Sequence, residues 1–143
     1  MKRRTLIIIV AAALSIGAIA APDASIEIMQ FRQEGASSVS FMVKQSLAAT
    51  LPRWNDGKGE PPLSQRKAID IAVAELKRRN LKLETLELHS VSLTRIKELP
   101  LEGHWFYGIT FSPIAEGVTT PYWKSMVLVL MDGSVINPIE TPH

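Results

Sequence analysis

Residues 126–136 read MVLVLMDGSVI, and the fold turns on how this stretch is read. Met126, Leu128 and Leu130 alternate with Val127, Val129 and Met131, so a strand here is apolar on both faces. Such a strand needs a cover on each side of its sheet. Asp132-Gly133-Ser134 has the chemistry of a tight hairpin turn, and Val135-Ile136 can return as a short strand that Pro138 ends. The reading starts the long strand at Tyr122 and Trp123 and runs it to Met131.

Working outward, His104 to Ser112 alternates cleanly. Trp105, Tyr107, Ile109 and Phe111 share one face, and Phe106, Gly108 and Thr110 share the other. Six of the nine aromatic residues fall between Trp105 and Trp123, which places the core in the C-terminal half. Glu98 to Gly103 reads as a turn. Before it, Leu86 and Leu88 alternate and Val91 and Leu93 resume out of phase, so a bulge is expected near His89-Ser90.

The cover for one sheet face is the helix SQRKAIDIAVAELKRRN, residues 64–80. Ser64 can accept from the free N–H groups of the first turn, and Leu63 can staple onto Ala68. Ala68, Ile69, Ala72, Val73 and Leu76 recur at three- and four-residue spacing as one apolar stripe. Burial of Val73 and Leu76 is expected to contribute about 1.5–3 kcal/mol each. Glu75 can pair with Arg79, and Asn80 is a suitable terminator. The fold class that follows is α+β, one main amphipathic helix packed on a three- to four-stranded antiparallel sheet. The second cover is expected from the N-terminal segment or from a partner chain. In that segment Ser38 to Val43 reads as a short strand, Lys44 to Thr50 as a helical turn, and Arg53 to Pro62 as a loop.

The chain has 143 residues, 46% of them hydrophobic and 21% charged, which fits one globular domain and excludes wholesale disorder. Lys2, Arg3 and Arg4 stand before an uncharged run from Thr5 to Ala20. A basic start, an apolar middle and the small residues Ala18 and Ala20 describe a secretory signal peptide cut before Ala21. The run is shorter than the about 20 predominantly apolar residues of a spanning helix, so a membrane is expected as a partner only through an uncleaved signal. Without residues 1–20 the chain carries thirteen basic against fourteen acidic side chains, formally −1, although the whole sequence has a pI near 9.0. The expected location is extracytoplasmic, periplasmic or secreted. The expected organisation is a signal over 1–20, an arm and linker over 21–61 and an α+β domain over 62–139.

Composition also removes several kinds of chemistry. Cysteine is absent, which excludes disulfides, thiolate nucleophiles and a lipid-bearing cysteine. His89, His104 and His143 have no ligand spacing, so no metal is expected. No nucleophile elbow is present, and His89-Ser90 on a regular strand point apart, so no catalytic residue is expected. Glu84 with Glu87, and Glu98 with Glu102, sit in solvated segments that would not raise a carboxylate pKa. Gly57-Lys58-Gly59 lacks the phosphate-loop spacing, no cofactor is expected, and a formal charge of −1 disfavours nucleic acid. Two places remain as candidate partner-binding residues. Arg53 and Trp54 lie on the loop, where the tryptophan is either a contact anchor or a lid on its own core. Tyr122 and Trp123 lie by the sheet face that the helix leaves open.

The helix LSQRKAIDIAVAELKRRN, the aromatic strand HWFYGITF and the hairpin MVLVLMDGSVINP together resemble the PepSY domain, over about residues 62–139. The lead-in AATLPRWNDGKGEPP, residues 48–62, is similar to segments before such domains in exported bacterial proteins. The resemblance implies a helix followed by antiparallel strands, an extracytoplasmic place, and binding or inhibition of peptidases. The expectation is a non-enzymatic protein that binds or regulates another envelope protein or peptide. The alternatives are a small-ligand carrier or enzyme with a pocket between helix and sheet near His89, and a self-assembling component whose homo-oligomer covers the doubly apolar strand.

Overall fold

A computed structural model describes residues 23–33, 37–114 and 121–142. Ala18, Ala20 and Ala21, with the rest of the expected signal, lie outside the described residues. The element order is β1 (Ser25–Gln33), β2 (Ser37–Lys44), α1 (Gln65–Arg78), β3 (Leu86–Arg95), β4 (Trp105–Pro113), β5 (Met126–Leu130), β6 (Val135–Ile136) and β7 (Pro138–Pro142). Helix and sheet are both present, in an α+β arrangement with two antiparallel sheets. One has the order β1-β2-β7 and the other β3-β4-β5-β6.

Local chemistry explains the boundaries of α1. The Ser64 hydroxyl accepts from the Lys67 N–H at 3.3 Å, which satisfies one free donor of the first turn. At the other end Leu81 N–H donates to Leu76 carbonyl and Asn80 N–H to Lys77 carbonyl. Asn80 takes φ +59, so the helix closes in the left-handed terminating motif that asparagine tolerates. The buried line of the helix is Ala68, Ala72, Glu75 and Leu76, with Ile71 and Val73 partly buried. Every residue of the expected stripe is thus buried or half-buried, Ile69 included, with Ile71 and Glu75 added along one side, and Val73 contributes less than a fully buried valine. Small alanines at the centre allow close approach. Glu75 is buried because Arg78 and Arg79 both reach it, at 2.7 and 2.9 Å.

Every residue of β5 is buried. Alternation sends Val127 and Val129 into one cluster with Tyr107, Ile109 and Phe111, and Ala68, Ala72 and Leu76 of α1 belong to the same cluster. Met126, Leu128 and Leu130 go the other way, into a cluster with Phe106 and with Val39, Phe41 and Val43 of β2. The second cover of the doubly apolar strand is therefore the N-terminal hairpin of this chain. The bulge expected in β3 is present as a register shift between Leu88 and Ser90. Gly108, mid-β4, makes room for a neighbour, since a Cβ there would stand 2.8 Å from Ser92 Oγ.

Two expectations need correction. Tyr122 to Ser125 is a 3-10 turn, and the strand runs only from Met126 to Leu130, with Met131 already in the turn. Lys124 N–H donates to Pro121 carbonyl and Ser125 Oγ to Tyr122 carbonyl, and these local bonds hold the turn. Pro138 does not end the sheet structure either. It opens β7, which pairs with β2 from Pro138 opposite Phe41 to Pro142 opposite Ser37. Prolines are tolerated at the ends of an edge strand, where the missing N–H costs no ladder bond.

Candidate functional site

The loop after Pro52 carries Trp54 onto the start of β4. The Trp54 and Trp105 rings meet edge to face, with centroids 5.1 Å apart and planes at 67°. Trp105 Nε1–H donates to the Trp54 carbonyl at 3.1 Å, and Trp54 Nε1–H donates to the Gly59 carbonyl at 3.2 Å. Both indole donors are thus used inside the protein, and both rings are half-buried. What they offer outward is ring surface. Trp54 packs its ring on Trp105 and lines an open cleft.

That cleft has a volume of about 380 Å³ and is lined by Arg53, Trp54, Asn55, Asp56, Arg95, Gly103 and Trp105. Arg95 and Trp105 come together because they are register partners across the β3–β4 pair. Ile96 N–H to His104 carbonyl and Gly103 N–H to Ile96 carbonyl close the turn between them. Gly103 has φ +84, and a Cβ there would lie 3.7 Å from Arg95 Nη2, so the guanidinium stands close over the glycine. Arg53 and Arg95 are exposed, and among the described residues neither side chain has an ion pair or hydrogen bond. Two free cations, one acid, one amide and indole surface converge here.

Tyr122 and Trp123 border a separate place. Phe31, Arg32, Val39 and Pro121 join them around a mostly apolar pocket of about 220 Å³. Tyr122 Oη lies 3.2 Å from Thr110 Oγ1, and its ring meets Phe31 edge to face at 5.8 Å. The structure does not bring Arg53 and Trp54 together with Tyr122 and Trp123 in one pocket.

Among the described residues, the space between helix and sheet, where the alternative reading puts a pocket near His89, is occupied by side chains. Ala68, Ala72, Leu76, Ile109 and Val127, all fully buried, fill that space, and His89 is exposed on β3. Beneath the helix, Tyr107 Oη donates to the Leu63 carbonyl at 3.0 Å; burial and then Glu60 push its pKa up, so it stays a neutral donor. His104 is buried, with Nδ1 3.4 Å from the Pro52 carbonyl. His143 lies outside the described residues. Among the described residues no three His, Asp or Glu side chains are grouped to hold a metal, and no helix is long and apolar enough to cross a membrane.

Sequence reasoning reached Arg53 and Trp54 but missed Arg95, Gly103 and Trp105 as their neighbours. The available signal was the turn from Glu98 to Gly103, since a closed hairpin places the residues flanking it opposite one another. No family model, curated protein or solved structure matches this chain.

Proposed function

We propose that this chain is an exported, non-enzymatic binding protein of the cell envelope. Its helix packed on the four-stranded sheet forms a PepSY-like unit, and it holds or regulates another envelope protein or peptide, with peptidases among the candidates. The observation that carries the reading is the cleft between Trp54 and Trp105. Indole surface with its donors already used, beside two exposed arginines that have no side-chain partner among the described residues, has the aromatic and arginine composition typical of contact anchors. The basic and apolar start of the chain supports export, with cleavage before Ala21.

The test is affinity capture from a native envelope extract with the protein as purified from an expressing cell, its N-terminus read by mass spectrometry. Wild type is compared with Arg53→Ala and Trp54→Ala. A protein or peptide enriched on the wild type and lost from both variants supports the reading. Equal recovery on all three, or no enrichment, overturns it. An N-terminus at Met1 in protein recovered from the cytoplasm overturns the export part.

A second reading rests on the apolar pocket beside Tyr122 and Trp123, with Arg32 at its border. It makes the chain a carrier of a small apolar ligand. Native mass spectrometry supports that reading if a copurifying ligand leaves on Tyr122→Ala, and a ligand-free spectrum removes it.

A further inference from the structure

We infer that the ligand of the Trp54–Trp105 cleft is an extended peptide whose carboxylate is held between Arg53 and Arg95. The inference rests on the binding role proposed above and gives it a ligand chemistry. Three observations converge on it.

The first is charge. Arg53 and Arg95 line one cleft, both are exposed, and neither has an ion pair among the described residues. A guanidinium presents a planar fork of donors that matches a carboxylate, and two of them can grip both oxygens. Asp56 in the same cleft sets a limit on that charge. It repels a dianion such as a phosphate monoester more strongly than a single carboxylate.

The second is the indole surface. With both Nε1–H groups donating inside the protein, the rings have no polar group left to share. They can take an apolar or aromatic side chain next to the carboxylate, in edge-to-face or stacked contact.

The third observation selects a peptide over other carboxylates. Arg95 is the last residue of β3, and β3 is the edge strand of its sheet among the described strands. The outer backbone groups of this strand therefore lead to the cleft without a ladder partner. An extended chain can add to such an edge by main-chain hydrogen bonds, with specificity supplied by a pocket at its end. A saccharide acid could use the arginines and indoles but gains nothing from a strand edge.

The carboxylate has two possible sources, the peptide's own C-terminus or an Asp or Glu side chain. The experiment is a tryptophan-fluorescence and calorimetric titration of the full protein with a short peptide of alternating valine and threonine ending in phenylalanine and glutamate. The peptide is used free, as its C-terminal amide, with glutamine in place of glutamate, and with both changes. Oligogalacturonate is the acidic saccharide control.

The expected result is that the free peptide binds and the doubly neutral form binds at least about tenfold more weakly, as loss of charge-assisted hydrogen bonds predicts. Retention by the amide assigns the side chain as the source, and retention by the glutamine form assigns the C-terminus. Arg53→Gln with Arg95→Gln should weaken the free peptide by a similar factor. Both positions are exposed, so circular dichroism of that variant should be unchanged. Equal binding of the charged and doubly neutral peptides overturns the inference. So does tighter binding of the saccharide, or no binding of any peptide. If capture from extract still depends on Trp54 while every peptide fails, the binding role stands and the peptide carboxylate falls.

Discussion

The two faces of β5 are covered by different means. One face shares its cluster with α1, whose Ala68, Ala72 and Leu76 reach it from a segment that is a single continuous helix. The other shares its cluster with Val39, Phe41 and Val43 of β2, a strand that lies more than eighty residues away in sequence and is held between β1 and β7. The helix face depends on small residues that permit close approach. The hairpin face depends on a large ring, Phe41, that fills space. A helix is recognisable from its own period, whereas a sheet that covers another sheet is defined only by its pairing partners.

If β5 couples the two covers, damage to either should lower one common unfolding transition. Phe41→Ala is expected to cost the most, about 3–5 kcal/mol, because a fully buried ring leaves a cavity. Leu76→Ala on the other face should cost about 2–5 kcal/mol for the same reason. Urea unfolding followed by tryptophan fluorescence and by far-UV circular dichroism checks both. Coincident transitions in each variant keep the coupling. Separate transitions in Phe41→Ala would mean that the hairpin is a detachable cover, and the comparison would have to be redrawn.

The same contrast explains how much was legible in the sequence. Helix α1, the bulge in β3, the clean alternation of β4 and the Asp132-Gly133 turn are all local patterns, and each appears where its residues place it. The strand over Tyr122 to Ser125 failed because aromatic residues fit both a strand and a turn, and the hydrogen bonds that decide between them are made by the local backbone. Strand β7 was hidden because Pro138 reads as a terminator until its partner, β2, is known. The candidate site was half legible for a related reason. Arg53 and Trp54 stand out on a loop of glycine and proline, but Arg95 joins them only through the β3–β4 register.

Glu75 offers a way to sharpen the helix side. It is a buried carboxylate between Arg78 and Arg79, and Arg79 Nη1 also donates to the Met126 carbonyl at 3.0 Å, tying the helix end to the start of β5. Hydrogen bonds from Arg78 first, then from Arg79, hold its pKa below the ordinary carboxylate value, against burial that pushes it up. A carboxyl depressed in the folded state stabilises fully above its unfolded pKa, and that contribution is lost as pH falls through the lower folded value. Glu75→Gln should therefore cost about 1.5–3 kcal/mol near neutrality, the range for hydrogen bonds to charged groups. The gap between wild type and variant should narrow as pH drops below the ordinary carboxylate range. Urea midpoints at a series of pH values measure it, and a gap independent of pH would show that the carboxylate charge is not what holds the helix end.

The smallest expected effect lies at the opposite end of α1. Ser64→Ala removes the acceptor for Lys67 N–H and should cost about 1 kcal/mol, the usual loss for an N-cap serine. Leu63, buried just before the cap, keeps the chain entering at the same angle, and Tyr107 Oη remains bonded to the Leu63 carbonyl. The loss should thus stay confined to the first turn, with faster amide hydrogen exchange at Lys67, whose N–H loses its acceptor, and little change at Leu76. Exchange that accelerates along the whole helix would mean that the cap, and not burial of Ala68, Ala72 and Leu76, sets the stability of this cover. The helix face of β5 would then rest on local chemistry as much as its legibility does, and the two faces would differ in energetics as well as in origin.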